Sequence, residues 1–390
     1  MRDRIRVLDA LRGFAVLGLL IAHFPSTGGT NFAFSDPRLL GWTPWEMGLW
    51  GTQAVFIDAV MRGVFASLFG ASMAIILSGS GDMLTRRAGF LVRCIGLLVL
   101  GVVHMSLLAW SSDILAIYAV AGMGVLVLSW LPPRFLFAFA ALGWAVVVAY
   151  AGYRDIATET PTYAEMMAVQ AAHAEGYWPH VQASVETWIM MMTNASVLGR
   201  IAEAGGYMLL GLGLMRSGAL NLSSQTLVRV VSIAGAAGVA LAAGTAIHAA
   251  LSGFVFDASL HPVMRFSKPF IVIAMLAGFV LAMRSELFAH VSKVIFEPVG
   301  KMALTAYMGS SLMMLWLFTG FGLELYGRFD RVALWGLMIP AGGFIIVACN
   351  LWLSRFKQGP MEKALRMFVD HGTALIAPVL RPRAKTLPAE

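Results

Sequence analysis

The sequence predicts an all-α, polytopic membrane helix bundle of about ten transmembrane helices, with both termini in the cytoplasm. Three observations predict it. Of 390 residues, 59% are hydrophobic and only 13% charged, with a mean hydropathy of +0.77; soluble domains are about 45–50% apolar and about 25% charged. The apolar runs are far too long for core strands. The basic residues gather in alternate connections, as the positive-inside rule requires.

Spans of roughly 20 residues can be drawn near 7–24, 56–79, 89–110, 114–131, 134–152, 198–216, 228–251, 266–284, 300–321 and 332–353. The first is a retained helix rather than a signal peptide. It carries Asp9 and Arg12, lacks a small-x-small cleavage site, and is followed by many more spans. Arg2, Arg4 and Arg6 precede it, and Arg86 and Arg87 lie between the second and third spans. Arg134, Arg216, Arg229, Arg284, Lys293 and Lys301 fall in or beside later connections, and Arg355, Lys357, Lys363 and Arg366 follow the last span. Alternating spans put all of these on one side, the cytoplasmic one. The opposite connections hold Arg38, Arg154, Arg265, Lys268, Arg328 and Arg331. Stretches 51–79 and 186–216 are long for single spans. Residues 1–369 form one transmembrane domain, and 370–390, with Pro378, Pro382 and Pro388, read as a flexible cytoplasmic tail.

A net charge of +7 would suggest nucleic acid in a soluble protein. Here the membrane connections account for it, so nucleic acid is not an expected partner. Cys94 and Cys349 sit inside apolar spans and give neither a disulfide framework nor a metal pattern. They read as small core residues. Two outer segments are long enough to matter. Residues 25–50 hold Gly28-Gly29, three tryptophans and Glu46; residues 153–190 hold Glu159, Glu165, His173, Glu175, His180 and Glu186. Their tryptophans and Tyr177-Trp178 fit either interfacial anchors or the wall of an acceptor site.

The chemistry concentrates in the first and third spans. Arg12 and His23 are eleven residues apart. That is about three helical turns and about 16 Å, so both lie on one face. Asp9 shares that side. A cation toward one surface and an imidazole toward the other is costly in lipid, so the stripe faces protein or water. Arg12 lies about two turns beyond the basic leader, deep for snorkelling. Arg93 and His104 repeat the eleven-residue spacing, and Arg86 continues that face seven residues earlier, next to Arg87. Asp113 fits two roles: orienting an imidazole, or capping the fourth span. Asp58/Arg62 and Arg200/Glu203 read as intrahelical neutralising pairs. Lys301 and Tyr307 open the ninth span, with Lys301 as an interfacial anchor. Phe69-Gly70-Ala71-Ser72 suits close helix contact. The sequence has no Walker A loop, GxSxG elbow or HExxH helix, which argues against ATP-driven transport, serine hydrolysis and zinc proteolysis.

An ordered set of motifs resembles the YeiB-like family, domain of unknown function 418. The set is Leu8-Asp9-Ala10-Leu11-Arg12-Gly13-Phe14, Leu68-Phe69-Gly70, Asp113-Ile114-Leu115 with Tyr118-Ala119, Gly300-Lys301-Met302-Ala303-Leu304-Thr305-Ala306-Tyr307, and Gly359-Pro360-Met361-Glu362 with Arg366. The resemblance spans nearly the whole chain. It implies a relationship to the transmembrane acyltransferases, the group of acyltransferase-3 and heparan-α-glucosaminide N-acetyltransferase, whose first-helix Arg-x10-His pattern Arg12 and His23 match. It implies a bacterial-type cytoplasmic (inner) membrane.

The expected function is therefore transfer of an acyl group, such as acetyl, from cytosolic acyl-CoA to an acceptor hydroxyl or amine at the outer face. Arg12, Arg86, Arg87 and Arg93 would hold the CoA phosphates. His23 or His104 would act as general base, with Asp113 orienting it. Expected partners are membrane lipid, acyl-CoA, the outer acceptor and, in a homodimer, a second copy; no metal is expected. The alternative is a transporter or channel for protons or an anionic solute, since a stripe of Arg, His and Asp also suits a relay. A non-enzymatic sensor comes third.

Overall fold

Among the described residues every regular element is helical, as long apolar runs without period-two alternation require. The structure, a computed structural model, describes residues 2–29, 36–108, 113–157, 176–194, 196–255, 258 and 261–380. Its helices are α1 (Arg2–Gly28), α2 (Pro44–Thr52), α3 (Val60–Leu77), α4 (Met83–Ser106), α5 (Leu115–Leu128), α6 (Pro133–Ala157) and α7 (Tyr177–Thr193). They continue with α8 (Ser196–Arg216), α9 (Ser224–Leu251), α10 (Pro262–Ala282), α11 (Glu286–Lys301), α12 (Ala303–Phe318), α13 (Arg331–Arg355) and α14 (Pro360–Leu380).

Among the described residues, eight helical stretches are long and apolar enough to cross a membrane: α1, 44–77, α4, α6, α8, α9, α10 and α13. Helices α5 and α12 are apolar but only 14 and 16 residues long. The chain is thus an all-α, multi-pass membrane bundle. Two expectations change in detail. Lys301 is the last residue of α11 rather than the start of the ninth span, because Met302 (φ −117°, ψ 31°) interrupts the helix before α12. Residues 370–380 continue α14, which packs along α4, so the segment expected as a tail is helical to Leu380; 381–390 lie outside the described residues.

α1 is the wall between two apolar cores. Leu11, Ala15 and Leu19 pack with α3 residues such as Val60, Met61 and Val64. Val16, Leu20 and Phe24 pack with Val299, Met302, Ala303, Phe318 and Leu334 of α11–α13. Arg12 and His23 fall angularly between these two sets at about 100° per residue, so the polar stripe runs along the seam of the cores.

Glycines set the closest helix approaches. A Cβ on Gly70 would stand 1.8 Å from the Met208 carbonyl oxygen, and one on Gly211 would stand 1.7 Å from that of Ser67. The pair locks α3 against α8, the close contact expected of the Gly70 patch. Gly13 and Gly300 do the same for α1 and α11, their Cβ positions lying 1.9 Å from Phe296 O and 1.7 Å from Asp9 O. Cys94 and Cys349 are buried core residues, as expected.

Candidate functional site

Helices α1 and α4 both pack on α3, and their polar stripes come within electrostatic reach of each other at both ends. At the end where α4 begins, Arg12 donates to Asp9 Oδ1 at 2.9 Å and reaches across to Ser72 Oγ on α3 at 3.1 Å. Arg93 lies within electrostatic reach of Arg12, Glu362 and Arg366, and Asp9 within reach of Lys301 and Glu297. Glu297 in turn pairs with Arg6 at 3.0 Å. Four helices therefore bring Arg12, Arg93, Lys301 and Arg366 to one end. Glu362 is committed elsewhere: it accepts from Leu304 N at 2.7 Å, Thr305 N at 3.2 Å and Thr305 Oγ1 at 2.6 Å, closing the open N-terminus of α12.

The other two expected phosphate ligands divide. Arg86 stays on the Arg93 face, about 10 Å nearer the helix start. Arg87 is turned away to the C-terminus of α5, where it donates to Leu126 O at 2.9 Å. One residue is about 100° of helix rotation, so Arg86 and Arg87 cannot share a face. Arg87 seals the last carbonyls of α5.

At the opposite end, His104 Nδ1 and Asp113 Oδ1 are 2.8 Å apart, with both side chains fully buried. Asp113 Oδ2 also accepts from Ala116 N at 3.0 Å. The two roles open for Asp113 are thus filled by its two oxygens: it orients the imidazole and caps α5. Gly101, one turn before His104, makes room for this: a Cβ there would lie 2.7 Å from Asp113 Oδ2. The Tyr307 ring meets His104 edge-on at 5.2 Å, and its hydroxyl accepts from Ile114 N at 3.4 Å. His23 is half-buried, within electrostatic reach of His104 and of Arg62 on α3. Ser111 and Ser112, and Glu159, Glu165, His173 and Glu175 of the outer segment, lie outside the described residues.

Near this end lies a charged cluster that the sequence reading divided wrongly. The second span is broken. A single π-turn, Gln53–Ile57, ends at Asp58 (φ −63°, ψ 128°), and Ala59 is left-handed at φ 63° before α3 starts. Asp58 and Arg62 thus belong to separate helical pieces, not one intrahelical pair. Arg62 instead faces Glu203 of α8 at 4.0 Å, and Arg265 of α10 faces the same carboxylate at 3.6 Å. Glu203 is therefore shared across helices, not matched to Arg200 alone. Arg265, Lys268 and Arg331 were assigned to outer connections, but they lie in α10 and α13, with Lys268 and Arg331 only 3% and 1% exposed. The Lys268 amine donates to the Ala54 and Val55 carbonyls. Arg331 donates to Pro37 O at 3.1 Å and Gln53 Oε1 at 3.5 Å. Lys268 thus satisfies carbonyls at the break, and Arg331 ties the Gln53 side chain at its start to the Pro37 carbonyl. The available signal was length: 44–77 is 34 residues, well over one span.

The outer aromatics are packed, not only interfacial. Trp42, Trp50 and Phe254 form a triangle with centroids 5.0–5.5 Å apart, while Trp45 is 80% exposed. Arg38 sits 5.5 Å over Phe254 and bonds both oxygens of Asp36, which holds that carboxyl below the usual range. Tyr177 anchors α7 by donating to Leu107 O.

Residues 214–371 match the family described as "Protein of unknown function (DUF418)". The chain is 28% identical over 377 residues to "Uncharacterized protein YeiB" of Escherichia coli (strain K12), covering 92% of this chain and 94% of YeiB. It is 25% identical over 386 residues to "Uncharacterized protein YxaH" of Bacillus subtilis (strain 168), covering 92% of each. The family match thus covers the C-terminal part of the chain, and the likeness to YeiB and YxaH runs along nearly all of it. No solved structure matches the chain. The segment matched by the DUF418 family supplies Arg265, Lys268, Lys301, Tyr307, Arg331, Glu362 and Arg366, and the preceding helices supply Arg12, His23, Arg62, Arg93, His104 and Asp113. Each end of the stripe is thus built from both parts of the chain.

Proposed function

We propose that this protein is a membrane acyltransferase. It takes an acyl group from cytosolic acyl-CoA at the Arg12/Arg93 end and delivers it to a hydroxyl or amine at the His23/His104 end. The observation that carries the reading is the pairing of the two stripes: cation with cation at one end, imidazole with imidazole about 16 Å away. Two guanidiniums suit the CoA phosphates, and the extended arm of CoA can span the distance to the imidazoles. There a histidine takes the acceptor's proton while the acceptor oxygen or nitrogen bonds the acyl carbon. The carbon–sulfur bond then breaks, and the CoA thiolate leaves and is protonated. The His104–Asp113 pair is the better-oriented base, and His23 lies within electrostatic reach of Arg62. The protein would sit in the bacterial cytoplasmic membrane with both termini inside.

The test uses purified protein. CoA should raise the unfolding midpoint, since selective binding stabilises the folded state. Arg12→Gln and Arg93→Gln should abolish that shift, and His23→Ala or His104→Ala should abolish acyl transfer while leaving CoA stabilisation. Full turnover in both histidine variants would exclude the mechanism. A transporter is the second reading, favoured by the broken second span: discontinuous helices with buried charge also build solute sites. Uptake by vesicles without any response to CoA would select it.

A further inference from the structure

Four cations approach the broken span, and two of them are spoken for. Lys268 and Arg331 bond backbone and amide oxygens around the break. Arg62 and Arg265 do not. Among the described residues the one ion pair within 4.0 Å for each is with Glu203, at 4.0 and 3.6 Å, which is too long for a hydrogen bond. Among the described residues neither guanidinium donates a hydrogen bond, although each has several N–H groups. Such donors are rarely left unmatched inside a membrane bundle.

Polar groups from several helices gather around Arg62. It lies within electrostatic reach of His23 (α1), Asp58 at the break, Tyr118 (α5), Tyr207 (α8) and Lys268 (α10). Tyr118 donates to the Arg62 carbonyl at 2.6 Å, fixing that turn of α3. With these groups from five segments within electrostatic reach, the Arg62 side chain is still 39% exposed, so a small anion can reach its guanidinium. The N-terminus of α3 adds positive potential there, since Ala59 offers no capping side chain. Arg62 and Arg265 lie in the first turn of α3 and α10 respectively, and Arg62 is within electrostatic reach of His23, so both guanidiniums lie near the His23 end of the bundle.

We propose that Arg62 and Arg265 form an anion site beside His23, which grips a carboxylate or phosphate on the molecule handled at that end. Calling that molecule the acyl acceptor rests on the acyltransferase reading; the anion site itself does not. Glu203 holds the two guanidiniums in place and competes with the anion for them. Arg62 and Arg265 are positioning residues: they set the acceptor's reactive group against the imidazole.

The experiment measures unfolding midpoints of the full chain in detergent, titrated with succinate and with inorganic phosphate. It repeats the measurement in nanodiscs of phosphatidylcholine with and without phosphatidylglycerol. At least one of these anions should stabilise the protein saturably. Arg62→Gln or Arg265→Gln should raise the half-saturating concentration at least tenfold, while Arg38→Gln leaves it unchanged. Glu203→Gln should lower it, an opposite sign that a merely structural role would not give. The CoA shift should persist in Arg62→Gln, so loss of CoA binding in the wild type would sink the acyltransferase reading alone. Stabilisation by phosphatidylglycerol only supports the anion site and overturns its assignment to a soluble acceptor. No response to any anion, or equal response in the wild type and both arginine variants, overturns the proposal.

Discussion

Asp113 holds two structures with two oxygens, and a pair of substitutions separates them. In Asp113→Ala both contacts go: the 2.8 Å contact to His104 Nδ1 and the 3.0 Å cap on Ala116 N. Losing an N-cap costs about 0.5–2 kcal/mol. Losing a buried bond and leaving the imidazole nitrogen unmatched costs about 1–3 kcal/mol. The alanine variant should therefore lose roughly 2–5 kcal/mol, given that neighbouring effects do not strictly add. Asp113→Asn keeps an oxygen for the cap and turns its amide toward the imidazole. It should lose about 1 kcal/mol, but it forces the proton onto Nε2 and so removes the nitrogen a base needs. The expected pattern is a small stability loss with a large activity loss for asparagine, and a large loss of both for alanine. Tryptophan fluorescence during denaturation reads the first, and product formation from acetyl-CoA reads the second. Equal destabilisation by both variants, or a fully active asparagine variant, would refute the two-role assignment.

Further outcomes follow from the packing. Gly211→Val and Gly300→Val place atoms where a first Cβ already lies 1.7 Å from a backbone oxygen, so both should lose at least about 1–3 kcal/mol and most monodisperse protein, judged by size-exclusion. Gly244→Ala, with nothing within 4 Å, should behave as wild type. Glu362→Ala should lower the unfolding midpoint by uncapping α12, whereas Glu362→Gln keeps one acceptor and should lower it less. Arg38 holds Asp36 below its ordinary value of 3.8, so the stability it contributes is present above about pH 3.8 and is lost as pH falls through the lower folded value. Fluorescence of the Trp42–Trp50–Phe254 triangle should change in that acid window, and the change should vanish in Asp36→Asn.

The spans were legible because lipid tolerates only long apolar helices, and residue spacing alone put Arg12 with His23 and Arg93 with His104 on single faces. How those faces are brought together rests on α1 and α4 both leaning on α3 through contacts distant in sequence. Arg87 was misread because adjacency in a basic run says nothing of its neighbour across the helix, the end of α5. The break at Asp58–Ala59 was hidden because Ala59 carries no signal for left-handed backbone, which usually advertises itself with glycine or asparagine. Lys268 and Arg331 looked like loop charges because the oxygens that bury them, the Ala54 and Val55 carbonyls at the break for Lys268 and Pro37 O with Gln53 Oε1 for Arg331, are distant in sequence. The tail after 370 looked loose because its prolines were weighed above the amphipathic face that α14 lays on α4.

The most direct measurement is a density map of the protein bound to CoA. The phosphates should lie against Arg12 and Arg93, with the thiol pointing along the seam toward His23 and His104. A map with those four residues in sealed, side-chain-filled surroundings, or with CoA bound elsewhere, would contradict the acyltransferase reading.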